Sequence, residues 1–126
     1  MSCPFCAIPA ERIIDRNESG FVIRDGFPVS QGHTLIIPYR HIGSFFELSK
    51  PERDDLFDLL DQAKLVLDRE FKPNAYNIGI NDGPAAGQTV PHLHIHLIPR
   101  FEGDMADPRG GVRYVIPSKA KYWKDE

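Results

Sequence analysis

Three histidines occupy alternate positions in the stretch HLHIH, residues 92–96. On an extended chain successive side chains point to opposite faces, so His92, His94 and His96 share one face and Leu93, Ile95 and Leu97 the other. Same-face neighbours lie about 6.5–7 Å apart, which lets two imidazoles converge on one ion or one phosphate. Neutral imidazole binds zinc, and a catalytic zinc keeps three protein ligands and a water. The same ring, largely neutral near pH 7, attacks phosphorus without first losing a tightly held proton. The preceding residues, NDGPAAGQTVP, favour phosphate chemistry. Gly83 and Gly87 permit close backbone approach, and main-chain N–H groups with the Thr89 hydroxyl can cradle an anion. Cys3 and Cys6, spaced CPFC, add a second chemistry: a redox pair, a disulfide or half of a tetrahedral zinc site.

These side chains need a frame. The strongest element is LSKPERDDLFDLLDQAKLVLDREFKP. Ser49 caps it with Glu52 three residues on, Pro51 is tolerated in the first turn and Pro73 ends it. Leu56, Leu59, Leu60, Ala63, Val66 and Leu67 follow the spacing of one buried helix face, while Phe57 and Leu65 widen that face enough for a second chain to cover part of it. Short β-like runs surround the helix at residues 12–15, 21–25, 33–38, 75–81 and 92–98, separated by turn clusters such as RNESG and DGFPVSQG. One long helix interrupting the strands, instead of alternating with them, implies an α+β domain built on an antiparallel sheet and disfavours a doubly wound nucleotide fold.

With 126 residues the chain suits a single domain, 1–126, with a tail from about residue 103. Its net charge of -3 argues against a nucleic-acid binder that works by neutralising many phosphates. No apolar run reaches the roughly 18–20 residues of a membrane span, and the N-terminus carries no basic region followed by an apolar stretch, so a cytoplasmic protein is expected. From Arg100 to Lys124 six basic residues face three acidic ones, which suits either a small polyanion or a solvated tail. Arg100, Arg109 and Arg113 are candidates for contacting the distal phosphates of a long substrate.

The motif HLHIHLI, together with CPFCAIPAERII, VIRDGFPVSQGHTLIIPYRHI and NDGPAAGQTVPHLHIHLIPR, resembles the histidine-triad nucleotide hydrolases and transferases over most of the chain. The continuation GDMADPRGGVRYVIP looks like bacterial members near the fragile-histidine branch, whose better-known enzymes cleave dinucleoside polyphosphates. The resemblance implies a sheet of about five antiparallel strands with one long helix and a short N-terminal helix. It implies that His94 attacks the α-phosphorus of an adenine nucleotide and carries the nucleotidyl group until water removes it. His96 then donates to a phosphate oxygen, and His33 completes the cluster and helps with the leaving group. Asn81, Gly87, Gln88, Thr89 and the N–H of Val90 match phosphate-binding positions. Asp25 matches the residue on the ribose hydroxyls, and Phe5, Ile8 and Ile23 match the base slot. Some members bind a structural zinc through positions matching Cys3, Cys6, His41 and His92. A homodimer acting on a purine nucleotide or dinucleotide is implied, with no organic cofactor. Three alternatives stay open: a phosphoramidate or aminoacyl-adenylate hydrolase of the same family, a metallohydrolase with zinc on the three triad histidines, and a non-catalytic nucleotide-binding module.

Overall fold

The structure, a computed structural model, describes residues 3–124, so the first two and last two positions of the expected 1–126 domain lie outside the described residues. Five strands form one antiparallel sheet: β1 (Asp15–Arg16), β2 (Gly20–Arg24), β3 (Thr34–Pro38), β4 (Ala75–Gly79) and β5 (Ile95–Arg100). Their order is β1-β2-β3-β5-β4. Between β3 and β4 runs α1 (Lys50–Phe71), and beyond β5 lies a short helix, α2 (Pro117–Ala120). A single 3-10 turn, Ala10–Arg12, stands where a short N-terminal helix was expected. The expected fold is thus present.

The long helix forms for the reasons its sequence suggests. The Ser49 side chain accepts from the Glu52 N–H while the Glu52 carboxylate accepts from the Ser49 N–H, which satisfies two otherwise orphaned donors, and Lys72 ends the helix in a left-handed conformation. Leu56, Leu59, Ala63 and Leu67 are buried against Val22, Ile36, Ile95 and Leu97 on one face of the sheet. Gly20 allows that approach. A Cβ there would lie 2.5 Å from the Ile37 carbonyl oxygen and 2.6 Å from a Leu56 methyl. Phe57 and Leu65 remain about half exposed on the outer side.

The opposite face carries the chemistry. Phe21, Ile23, Leu35 and Ile37 form a second buried cluster there, covered by Phe5, Ile8 and Ile13 of the N-terminal segment. Register sets one row across this face: Ile23 pairs with Leu35, Leu35 with His96, and His96 with Gly79. The sheet therefore runs from an apolar side, through a histidine, to a position without a side chain. Two expectations need correction. The first strand does not occupy residues 12–15, because Ala10–Arg12 is a 3-10 turn and pairing with β2 begins with Asp15 opposite Val22. Nor do all three triad histidines lie in a strand: β5 starts at Ile95, and Leu93 bonds through its N–H to the Ile42 carbonyl instead of to a strand partner.

Candidate active site

Each triad histidine has one ring nitrogen committed to a different neighbour. His92 is fully buried; its Nε2 lies 2.8 Å from the Pro38 carbonyl oxygen. A carbonyl only accepts, so Nε2 carries the proton and Nδ1 keeps its lone pair. His94 is arranged the other way round, with Nδ1 donating to the His92 carbonyl at 2.9 Å and Nε2 left with the lone pair. His96 receives its tautomer from a longer chain. The Val29 N–H donates to His33 Nδ1 at 3.2 Å, so the His33 proton sits on Nε2, which donates to His96 Nδ1 at 3.0 Å. The His96 proton is thereby on Nε2. The triad consequently presents an acceptor, a nucleophilic lone pair and a donor.

Burial favours neutral rings throughout this chain. His33 is pushed below its ordinary value by burial, against the opposing pull of the Asp25 carboxylate, whose Oδ2 lies 3.4 Å from His33 Nε2. Burial, with His94 and His33 beside it, pushes His96 down to about 4. Burial also lowers His92, against the pull of the Pro38 carbonyl.

Cys3, Cys6, His41 and His92 come together at the start of the histidine segment. A tight turn, with the Cys6 N–H donating to the Cys3 carbonyl at 3.1 Å, brings both thiols to one side. His92 Nδ1 lies 3.4 Å from Cys3 Sγ, 3.5 Å from Cys6 Sγ and 3.2 Å from His41 Nδ1, and Cys6 Sγ lies 3.2 Å from His41 Nδ1. Four ligands around a tetrahedral zinc, with bonds of about 2.0–2.3 Å, stand roughly 3.3–3.8 Å apart. The donor set and its spacing fit that ion, and the Pro38 carbonyl behind His92 supplies the outer hydrogen bond that zinc-binding histidines need. A second group, Asp25, His33 and His96, also gathers within ligand distance, and neither group contains His94. The three triad histidines are therefore not brought together as one metal site.

Of the remaining predicted residues, Phe5 meets His94 directly. Phe5 stands edge-on to it at 4.9 Å between ring centroids and packs with Ile8 beside the buried Ile23. Asp25 Oδ1 accepts from the Phe27 N–H at 2.8 Å, which leaves Oδ2 toward His33. Gly87 ends the 3-10 turn Pro84–Ala86 with a φ of 98°, which a larger residue adopts only with strain. The Gln88 side chain braces that turn, accepting from the Gly83 N–H at 2.8 Å and donating to the Gly43 carbonyl at 3.0 Å. Thr89 is exposed and Val90 is partly exposed, with the Val90 carbonyl accepting from the His92 N–H at 2.8 Å. Asp82, which sequence reasoning passed over, ties the same turn to residues 44 and 45 by accepting from the Ser44 hydroxyl and the Phe45 N–H.

The three arginines have other work than the distal phosphates expected of them. Arg100 closes a fork on Asp104 and donates to Asn77, Arg109 closes one on Asp107, and Arg113 donates to the Ala120 and Lys119 carbonyls. They fasten the C-terminal segment. Beneath it, a groove of about 760 Å³ opens beside His33 and His96, with Asn81 also on its wall. Among the described residues no helix is long and apolar enough to cross a membrane.

Comparison with known proteins identifies a family and a fold. The HIT domain family matches residues 7–103. A Schizosaccharomyces pombe asymmetrical bis(5'-nucleosyl)-tetraphosphatase is 42% identical over 80 residues, covering 64% of this chain and 44% of that protein. A Saccharomyces cerevisiae bis(5'-adenosyl)-triphosphatase is 34% identical over 93 residues, covering 73% of this chain and 45% of that one. The chain thus spans less than half the length of either. Among solved structures, a HIT family member from Bacillus subtilis superposes with a TM-score of 0.76 at 28% identity, covering 94% of this chain and 89% of that one.

Proposed function

The chain belongs to the HIT domain family, and from that premise we propose that it is a hydrolase that cleaves adenine dinucleotides, such as dinucleoside polyphosphates, at the α-phosphate through a nucleotidyl-histidine intermediate. The observation that carries this reading is the His94 ring, whose Nδ1–H is spent on the His92 carbonyl. Its Nε2 lone pair is thereby fixed for attack. In the first step an Nε2–P bond forms as the P–O bond to the leaving phosphate breaks. That phosphate departs with the electron pair as an anion, so it needs no proton. In the second step water attacks phosphorus, the P–N bond breaks, the nucleoside monophosphate leaves, and the water's proton passes to solvent. Two displacements replace one slow hydrolysis.

The surrounding residues bind and stabilise. His96, protonated on Nε2 through the Val29–His33 chain, donates to a non-bridging oxygen where negative charge concentrates. Asn81, Gly87, Gln88, Thr89 and the Val90 N–H hold the phosphates, Asp25 takes the ribose hydroxyls, and Phe5, Ile8 and Ile23 receive the base. Cys3, Cys6, His41 and His92 would hold a zinc ion whose contribution is structural: it ties the N-terminal segment carrying Phe5 to the histidine segment. β4 pairs on one side only, and Ile78 on it is about half exposed, as are Phe57 and Leu65 on α1. Such an unpaired edge with apolar neighbours suits a second copy of the chain, making a homodimer.

The test is a rapid-quench experiment with radiolabelled diadenosine triphosphate, alongside a panel ranking kcat/KM for dinucleotide, adenosine phosphoramidate and aminoacyl adenylate. A transient protein-bound adenylyl group, acid-labile and lost in His94→Ala, is expected. An adduct that persists in that variant, or turnover with no adduct at all, sinks the proposal.

A further inference from the structure

The groove beside His33 and His96 has no role in the steps above. It runs from the β2–β3 connection across β5 to β4 and is roofed by the C-terminal segment. Gly79, opposite His96 in the sheet, faces its open space: a Cβ at that position would meet nothing within 4 Å. Its far walls are Met105, Val112, Tyr114 and Val115. All four lie beyond residue 103, where the match to the family ends. They remain substantially exposed, from 42% for Tyr114 to 73% for Val115, although the segment that carries them is fastened down by Arg100 and Arg113.

We propose that this groove receives the leaving nucleotide of a dinucleotide substrate, with its base lying on the Tyr114 and Val112 wall, and so decides which leaving group the enzyme accepts. The inference rests on the nucleotidyl-transfer reading given above. Position supports it, because Phe5 touches the His92 and His94 rings, at 6.0 and 4.9 Å between centroids, whereas the groove is lined by His96, two residues further along and 5.0 Å from the His94 ring. Size supports it as well. A volume of about 760 Å³ lies in the upper part of the usual small-molecule range of about 300–1,000 Å³, whereas an ammonia leaving group would leave it empty.

Charge selects among the larger leaving groups. An aminoacyl group brings an ammonium that requires a free carboxylate, but the groove's one carboxylate, Asp104, is closed on Arg100. That same pairing neutralises the groove's arginine, so a bare polyphosphate chain gains little by entering. A base gains more. Its flat apolar face matches an aromatic ring and aliphatic walls, and the side-chain NH2 of Asn77 can meet its polar edge.

The experiment compares wild type with Tyr114→Ala, which removes the stacking wall, and Val112→Trp, which fills the groove from an exposed position without displacing core. Each protein is assayed for kcat/KM on diadenosine triphosphate and on adenosine 5'-phosphoramidate, and its oligomeric state is measured by sedimentation. The ratio of the two kcat/KM values does not depend on how much of each preparation is folded. It is expected to fall about tenfold in both variants. A fall of less than about fivefold in either overturns the proposal, as does an equal loss on both substrates accompanied by a changed oligomeric state, which would make the groove a surface between copies. A wild-type protein that turns over neither substrate fails the hydrolase reading itself, and the groove assignment falls with it; an active wild type with unmoved ratios fails only the groove.

Discussion

His33 Nε2 lies 3.0 Å from His96 Nδ1, and the Val29 N–H on the far side of the His33 ring fixes the direction of that hydrogen bond. Because the His33 proton must sit on Nε2, His96 is left as a neutral donor at its outward nitrogen, without needing to become an imidazolium. On the proposed reading the site thus obtains a phosphate-facing N–H at pH 7 from a ring whose own pKa has been pushed down to about 4.

Removing that relay should uncouple His96 without removing it. In His33→Ala the tautomer of His96 is free to exchange, and kcat on a dinucleotide is expected to fall roughly 10- to 100-fold with a smaller change in KM. Nitrogen NMR of the ring reads the cause separately: wild type should show one tautomer protonated on Nε2, and the variant a mixture. A wild-type spectrum with the proton on Nδ1 would contradict the chain.

His94→Ala removes the proposed nucleophile outright, and a loss of about 10³-fold or more in kcat is expected, with no nucleotidylated protein in a quench. His94→Asn keeps a polar group of similar size and should be as inactive, since an amide nitrogen has no lone pair for phosphorus. Retained activity in the asparagine variant would place the attack elsewhere.

Much of this was readable from residue order, and what was not has a common cause. The capping pair Ser49 and Glu52, and the alternation that buries Leu93, Ile95 and Leu97 beneath the histidines, are local patterns, and the structure keeps both. The edge strand was misplaced because turns on both sides set its extent: the 3-10 turn Ala10–Arg12 precedes it, and Asn17, accepting from the Ser19 and Gly20 N–H groups, turns the chain after Arg16. The division of labour among the histidines rests on backbone partners, the Pro38 and His92 carbonyls and the Val29 N–H, which side-chain identity does not report. Arg100, Arg109 and Arg113 looked like phosphate ligands because a charge balance counts cations without showing that their forks are already closed.

Acid should loosen the ligand-free protein through the same histidines. The pKa of His96 in the fold lies below its ordinary value of 6.5, and that of His33 is lowered as well. The unfolded chain therefore binds more protons than the folded one between about pH 6.5 and 4, and stability falls as pH drops through that window. Asp25 opposes the trend, while His94 and His33 beside His96 reinforce it. For His96 the loss is on the order of 1–2 kcal/mol, with solvent screening of this half-buried ring included. Urea midpoints at pH 7 and pH 4.5 check it: His96→Gln should show a visibly smaller drop than wild type. An equal drop would assign the acid sensitivity to other groups.

Zinc should act on substrate binding without touching the chemical step. Cys3 and Cys6 flank Phe5, which lies 4.9 Å from the His94 ring and packs over the cluster that includes Ile23. An ion held by those cysteines with His41 and His92 would anchor the segment that closes the proposed base slot, while His94 and His96 keep their backbone-set tautomers without it. Purified wild type is expected to carry about one zinc per chain, and Cys3→Ser and Cys6→Ser little. The variants should melt at lower temperature and show a KM for dinucleotide raised about tenfold, with kcat changed far less. Their melting temperature should no longer respond to added chelator, whereas that of wild type should fall. Metal absent from wild type as purified, or a kcat that collapses while KM holds, would remove the ion from this role and leave the four residues as a hydrogen-bonded cluster only.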